Sequence, residues 1–114
     1  MSKATEIITE MARKVTDDIA SALKKGKKKK IANTETDGKS VWLHGNEIVK
    51  VDNGEVSITD SGWDTPTTKE RINGILSMLG ITARVSKNKG TQILKVDGKS
   101  EPWDGRWIKV GSIK

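Results

Sequence analysis

The sequence predicts an α+β domain: an N-terminal amphipathic helix, an antiparallel β-meander, one central helix, then a second β-hairpin and a final strand. Three observations carry this expectation. Apolar residues recur with helical period near the N-terminus and again between Pro66 and Gly80. Elsewhere short runs of period two alternate with Asp-Gly, Asn-Gly and Gly-Asn turn signals. The length, 114 residues, suits one domain.

Residues 1–25 are expected to form the first unit, an amphipathic helix. Ile8, Met11, Val15, Ile19 and Leu23 fall at spacings of three and four, and Ile7, Ala12, Ala20 and Ala22 widen that stripe. Glu6 and Glu10 sit early while Lys24 and Lys25 sit late, which suits the helix dipole, and Gly26 is a natural stop. A helix over residues 3–24 would reach ~33 Å, more than so small a domain covers. Part of its stripe (Ile8, Met11, Val15 and Ile19) is therefore expected to dock on a second copy or another partner.

Residues 26–30 follow as a lysine-rich hinge, either solvated or the first part of an edge strand. Residues 31–114 make the small α+β domain. Ile31 to Thr34 is its first strand, closed by Asp37-Gly38. Ser40 to His44 is the second, with Val41 and Leu43 on one face and Trp42 and His44 on the other. Gly45-Asn46 turns the chain into Glu47–Asp52, and Asn53-Gly54 turns it again into Glu55–Thr59.

Asp60 to Thr65 is a loop. Thr65 before Pro66 fits an N-cap followed by the first helical position, with Thr67 and Glu70 as an alternative capping box. Ile72, Ile75, Leu76 and Leu79 then mark a one-sided helix that stops at Gly80. Ile81–Ser86 and Thr91–Val96 form a hairpin around Asn88-Lys89-Gly90. Asp97-Gly98 turns once more, and Trp103 to Val110 is the final strand.

Composition narrows the function. Apolar residues are 33% and charged residues 32%, with no Phe and no Tyr, so the four tryptophans are the only aromatics. The absence of cysteine excludes disulfides and thiolate metal sites. No leader-like hydrophobic run opens the chain, and no run nears the ~20 apolar residues that span a bilayer. A soluble, intracellular protein is expected, with no membrane partner. The net charge is +6, and residues 1–30 carry nine Lys/Arg against four Asp/Glu. The surplus is thus a local electrostatic device and not a generally basic surface.

The stretch from Trp42 to Asn73 contains Leu43-His44-Gly45-Asn46, Ile48, Ser61-Gly62-Trp63-Asp64-Thr65-Pro66-Thr67-Thr68, Arg71 and Asn73. It resembles a family of small tailed-bacteriophage proteins with a GN…I…GW-x-T-x-T-T-x-x-R-x-N pattern. The looser β-rich tail extends the likeness to most of residues 33–110. The N-terminal helix and the lysine run lie outside it, which would make the run a local addition. The resemblance implies a phage accessory protein, in the host cytoplasm or with the virion as the other location, and supplies no catalytic residue.

Three constellations are candidate sites. Lys24, Lys25, Lys27, Lys28, Lys29 and Lys30 can neutralise phosphates and release counterions, which gives sequence-independent binding to DNA or RNA. The same lysines also suit a solubilising hinge at a helix C-terminus. They include no Arg, Asn or Gln for bidentate base contacts, so they would not read sequence. At the start of the second helix, free backbone N–H groups, Thr67, Thr68, Lys69 and Arg71 could hold a phosphate, and Trp63 could stack on a base. The structural alternative makes the threonines caps, Trp63 a staple and Arg71 the partner of an acid. In Trp103-Asp104-Gly105-Arg106-Trp107, Trp107 is expected in the core, while Trp103 and Arg106 are open to a partner.

His44 is the one histidine and has no second ligand type near it in sequence, so no metal site is expected. No phosphate-cradling glycine loop, Ser/His/Asp set or HExxH motif is present, so neither a cofactor nor an enzymatic activity is expected. The leading expectation is a phage accessory protein that binds nucleic acid non-specifically. The alternative is a protein-interaction module, an inhibitor of a host protein or a small virion component, that docks or forms a homo-oligomer through the N-terminal helix.

Overall fold

The computed structural model describes the backbone of residues 3–113 and the side chains of residues 13–113. Helix α1 is Lys3–Lys24. The strands β1 (Lys29–Ile31), β2 (Thr34–Thr36), β3 (Ser40–Leu43), β4 (Asn46–Asp52) and β5 (Glu55–Ile58) form an antiparallel meander. Helix α2 (Pro66–Met78) comes next, then β6 (Arg84–Asn88), β7 (Thr91–Val96), β8 (Lys99–Pro102) and β9 (Ile108–Ser112). This is the expected α+β order. The last strand joins the first sheet beside β5, giving the order β1-β2-β3-β4-β5-β9, and β6-β7-β8 is a separate sheet.

Both helices share one core with the first sheet. Ile19, Ala20 and Leu23 of α1 and Ile72, Ile75 and Leu76 of α2 pack with Val41, Leu43, Val49, Val56 and Ile58. Val85 and Leu94 bring the second sheet into the same cluster. The helices approach closely because Gly74 has no side chain: a Cβ there would lie 2.4 Å from Thr16 Cγ2. The C-terminal part of α1 is thus integral to the domain. Ile19, expected on a partner-binding face, is fully buried in this core, and Val15 packs at its margin. The side chains of Ile8 and Met11 lie outside the described residues.

Four local differences have physical causes. Residues 29–36 make a hairpin of two short strands, because Ala32 takes a left-handed conformation (φ 53°) that lets Ile31 pair with Thr34. Sequence patterning misses it because alanine is an unusual residue for that region. The next tight turn is centred on His44 and Gly45 (φ 51° and 79°), one residue earlier than expected, with Leu43 opposite Asn46. The segment from Trp103 to Trp107 is a loop, and the final strand begins at Ile108. The two tryptophans also exchange roles. Trp103 is buried, with its indole N–H donating to the Arg106 carbonyl at 3.0 Å, while Trp107 is 45% exposed.

Candidate nucleic-acid interface

The lysine corner is built by a helix stop and an edge strand. At the end of α1 the Gly26 N–H donates to the Leu23 carbonyl and the Lys27 N–H to the Ala22 carbonyl, a Schellman closure around left-handed Gly26. Gly38, in the β2–β3 loop, lies against Gly26; a Cβ at Gly38 would come within 2.5 Å of its carbonyl carbon. That close approach pins the corner to the sheet. Lys24, Lys25 and Lys27 through Lys30 are all exposed, and none forms an ion pair with another described residue. Lys29 and Lys30 belong to β1, so two of the six lysines stand on an edge strand and four on the helix end and corner before it. Lysines on such an edge also deter pairing with other chains.

Beside the lysines lies an open groove of about 530 Å³, lined by Lys28, Lys29, Lys30, Trp42 and Gly45 together with acidic Glu35 and Asp37. Cross-strand register places Lys30 opposite Glu35 and Glu35 opposite Trp42. Half-buried Trp42 therefore faces away from the helices, on the same side of the sheet as Lys30.

The second site is the turn into α2. Ser61 and Gly62 are both left-handed (φ 53° and 85°), and the Trp63 N–H donates to the Asp60 carbonyl at 2.8 Å. The Asp60 side chain reinforces this turn by accepting from the Gly62 N–H at 2.8 Å and from the Gln92 amide at 3.0 Å. Thr59 and the Asp60 N–H are held by the Gly105 carbonyl, and Ser61 donates to the Glu47 carbonyl. Thr65 is the N-cap, with its hydroxyl accepting from the Thr68 N–H at 3.2 Å, and Pro66 follows at the first helical position. A stiff backbone thus presents the Trp63 side chain, which is 57% exposed.

Trp63 forms one wall of a cavity of about 400 Å³. Leu43 and Ile48 supply buried apolar surface to it. Ile48 reaches the cavity because it is the extra residue of a β-bulge, where Val41 pairs with Val49 and Trp42 with Glu47. His44, Asn46, Asp60 and the three threonines of the α2 start add polar lining. The His44–Gly45 turn separates cavity from groove: Gly45 lines one, and its neighbours His44 and Asn46 line the other.

Several expected contacts of this surface are used inside the fold. Arg71 is buried: its Nε donates to Thr34 Oγ1 at 2.9 Å, its Nη1 donates to Thr16 Oγ1 at 2.8 Å, and it pairs with Glu70. It joins α2, β2 and α1 and does not reach an external phosphate. Thr68 is also buried, beside Thr65. Lys69 stands 3.6 Å from Asp64, which Lys87 approaches at 3.0 Å. These cations, the Lys87 hydrogen bond first, hold the Asp64 carboxyl below the usual carboxylate range. The surface is therefore aromatic and hydroxylic, with Lys69 and Lys87 sharing Asp64 and with acidic Asp60 in the cavity lining. Of the expected contacts, Trp63 and Thr67 are exposed.

Asn73 is structural too. Its amide donates to the Val85 carbonyl and accepts from the Val85 N–H, both at 2.8 Å, which ties β6 to α2. Trp103, expected to be open to a partner, is buried as described. Arg106 remains exposed and is paired with Asp104 at 2.6 Å, which raises its already high pKa further. Among the described residues no helix is long and apolar enough to cross a membrane, and no acid or histidine cluster could hold a metal ion.

The model of the Kyanoviridae Gp96 protein family matches residues 12–109. The chain belongs to this family of phage proteins. The match starts within α1 and includes the lysine corner. That corrects the expectation that the run is an addition outside the family's extent; the run is part of the fold, as a helix stop and an edge strand. Comparison with curated proteins gave no significant match, and neither did comparison with solved structures.

Proposed function

We propose that this Kyanoviridae Gp96 family member is an accessory protein that binds DNA or RNA non-specifically. The observation that carries the reading is the lysine corner. Six exposed lysines without ion-pair partners among the described residues stand where α1 ends and β1 begins. A close backbone contact holds that corner, so the charges are concentrated on an ordered feature. Flexible lysines deliver affinity through counterion release and carry no base preference.

The test is a fluorescence-anisotropy titration at several salt concentrations. Changing Lys27–Lys30 to Ser removes four potential phosphate contacts and should flatten the log K against log salt slope by about 3 to 4. Unchanged affinity and slope in that variant would remove the role given to the corner.

A second reading, a protein-interaction module, has support at a different place from the one the sequence suggests. Trp107 and Ile108 are exposed next to Pro102 and buried Trp103, a patch of the aromatic type found at contact surfaces. Sedimentation of the wild type and a Trp107→Ser variant tests it. Loss of a defined oligomer on substitution supports this reading, and a wild-type monomer counts against self-association there.

A further inference from the structure

We infer that the cavity beside Trp63 receives an unstacked nucleobase, so that the bound form is single-stranded nucleic acid. This rests on the nucleic-acid reading of the lysine corner and assigns the contact that corner cannot make. Trp63 is the large side chain that the turn into α2 leaves outside the core, at 57% exposure, although both flanks of the turn are hydrogen-bonded. An exposed indole on a rigid turn, beside Leu43 and Ile48, offers a flat apolar face next to a recess. The volume of about 400 Å³ falls in the range of small-ligand sites.

The polar rim suits a base. The Asn46 amide and the Thr67 hydroxyl each donate and accept, so they can meet the edge of any base without strong choice among them. The cations nearest the turn, Lys69 and Lys87, share Asp64, and Asp60 adds a second acidic side chain in the cavity lining, so two cations face two acids. Phosphates are therefore drawn not to the cavity but to the lysine corner, across the His44–Gly45 turn. Charge complementarity at the corner and an aromatic recess one turn away together make the arrangement of a single-strand binder, a basic track with a stacking platform. A paired duplex keeps its bases stacked and cannot fill the recess.

The experiment compares a labelled single strand of about 16 nucleotides with the corresponding duplex, using wild type, Trp63→Ala, Trp63→Phe, Trp107→Ala and the Lys27–Lys30→Ser variant. Trp63 is exposed, so its variants should keep wild-type circular dichroism and urea midpoints. The single strand should bind more tightly than the duplex once contact number is matched through the salt slope. Trp63→Ala should weaken single-strand binding at least about fivefold while leaving duplex binding and the salt slope unchanged. Trp63→Phe should recover part of the loss, and Trp107→Ala should behave as wild type. Equal loss of strand and duplex binding in Trp63→Ala would overturn the inference, as would no loss at all, while sensitivity to the lysine variant kept the corner's role intact. Failure of wild type to bind either form at low salt would overturn the corner's role and this inference together.

Discussion

Replacing Arg71 with alanine separates a buried strut from a phosphate contact. The guanidinium is 5% exposed and holds hydroxyls on two other elements, Thr16 of α1 and Thr34 of β2, at 2.8 and 2.9 Å. It also pairs with Glu70, whose side chain is 37% exposed. Removal does not strand a fully buried charge, because Glu70 keeps its contact with water and with Thr16 at 2.8 and 2.9 Å. Thr34 likewise keeps its bond to Asn33 at 2.8 Å. Among the described contacts the cost is the loss of the two buried bonds to Thr16 and Thr34 and of the Glu70 pair, plus the space left behind, about 3 kcal/mol, at the low end for breaking a buried pair.

That is a large part of the ~5–15 kcal/mol that stabilises a typical domain. For a chain this long it should lower Tm by on the order of 10 °C. In urea the midpoint should fall with the m value unchanged. Arg71→Met, which fills the space without leaving a charge, should lose less. Below its unfolding transition, Arg71→Ala should bind nucleic acid as wild type does. A variant within about 0.5 kcal/mol of wild type, the scatter of ordinary surface substitutions, but with lost binding would refute the strut and restore Arg71 as an external contact.

Two other perturbations test the frame around the cavity. Asn73→Ala should destabilise by about 2 kcal/mol, since both polar groups of Val85 lose their partner; hydrogen exchange at the Val85 amide should accelerate in step. The Asp64 carboxyl has a lowered pKa because Lys87 and Lys69 favour its charged form. Its contribution is therefore fully present above the unfolded value near ~3.9 and is lost as pH falls through the lower folded value. At this exposure it should be no more than about 0.5 kcal/mol. Carboxyl NMR should show Asp64 titrating below a model aspartate, and Lys87→Met should move it back up.

Local chemistry made most elements legible in the sequence. Asn53-Gly54 and Asp97-Gly98 turn as their types demand, and Thr65-Pro66 caps α2. Ile72, Ile75 and Leu76 face the core as their spacing predicts. What escaped was set by contacts between distant segments. Trp103 and Trp107 are equivalent in composition, and contacts of the β8–β9 loop mark which one the domain covers: the Trp103 backbone N–H donates to the Gln92 carbonyl and its indole N–H to the Arg106 carbonyl. Ala32 carries no turn signal. The cavity draws Leu43 and Ile48 from one hairpin and Trp63 from the loop beyond it, and it depends on a bulge that no residue type announces.

The same distinction separates architecture from function in the segment from Gly62 to Asn73. Gly62 supplies a left-handed turn, Thr65 the cap, Thr68 buried support, Arg71 the strut between helices and sheet, and Asn73 the clamp on β6. Each is satisfied within the domain, so its presence is explained before any ligand is considered. Trp63 differs. Burying a tryptophan is among the largest apolar gains a side chain can make, yet the turn holds this one outward with a recess at its side. A fold that needed only a staple would have turned the indole inward. The exposed ring, and not the arginine and threonines that first suggest a phosphate site, is where this segment has surface left for a partner.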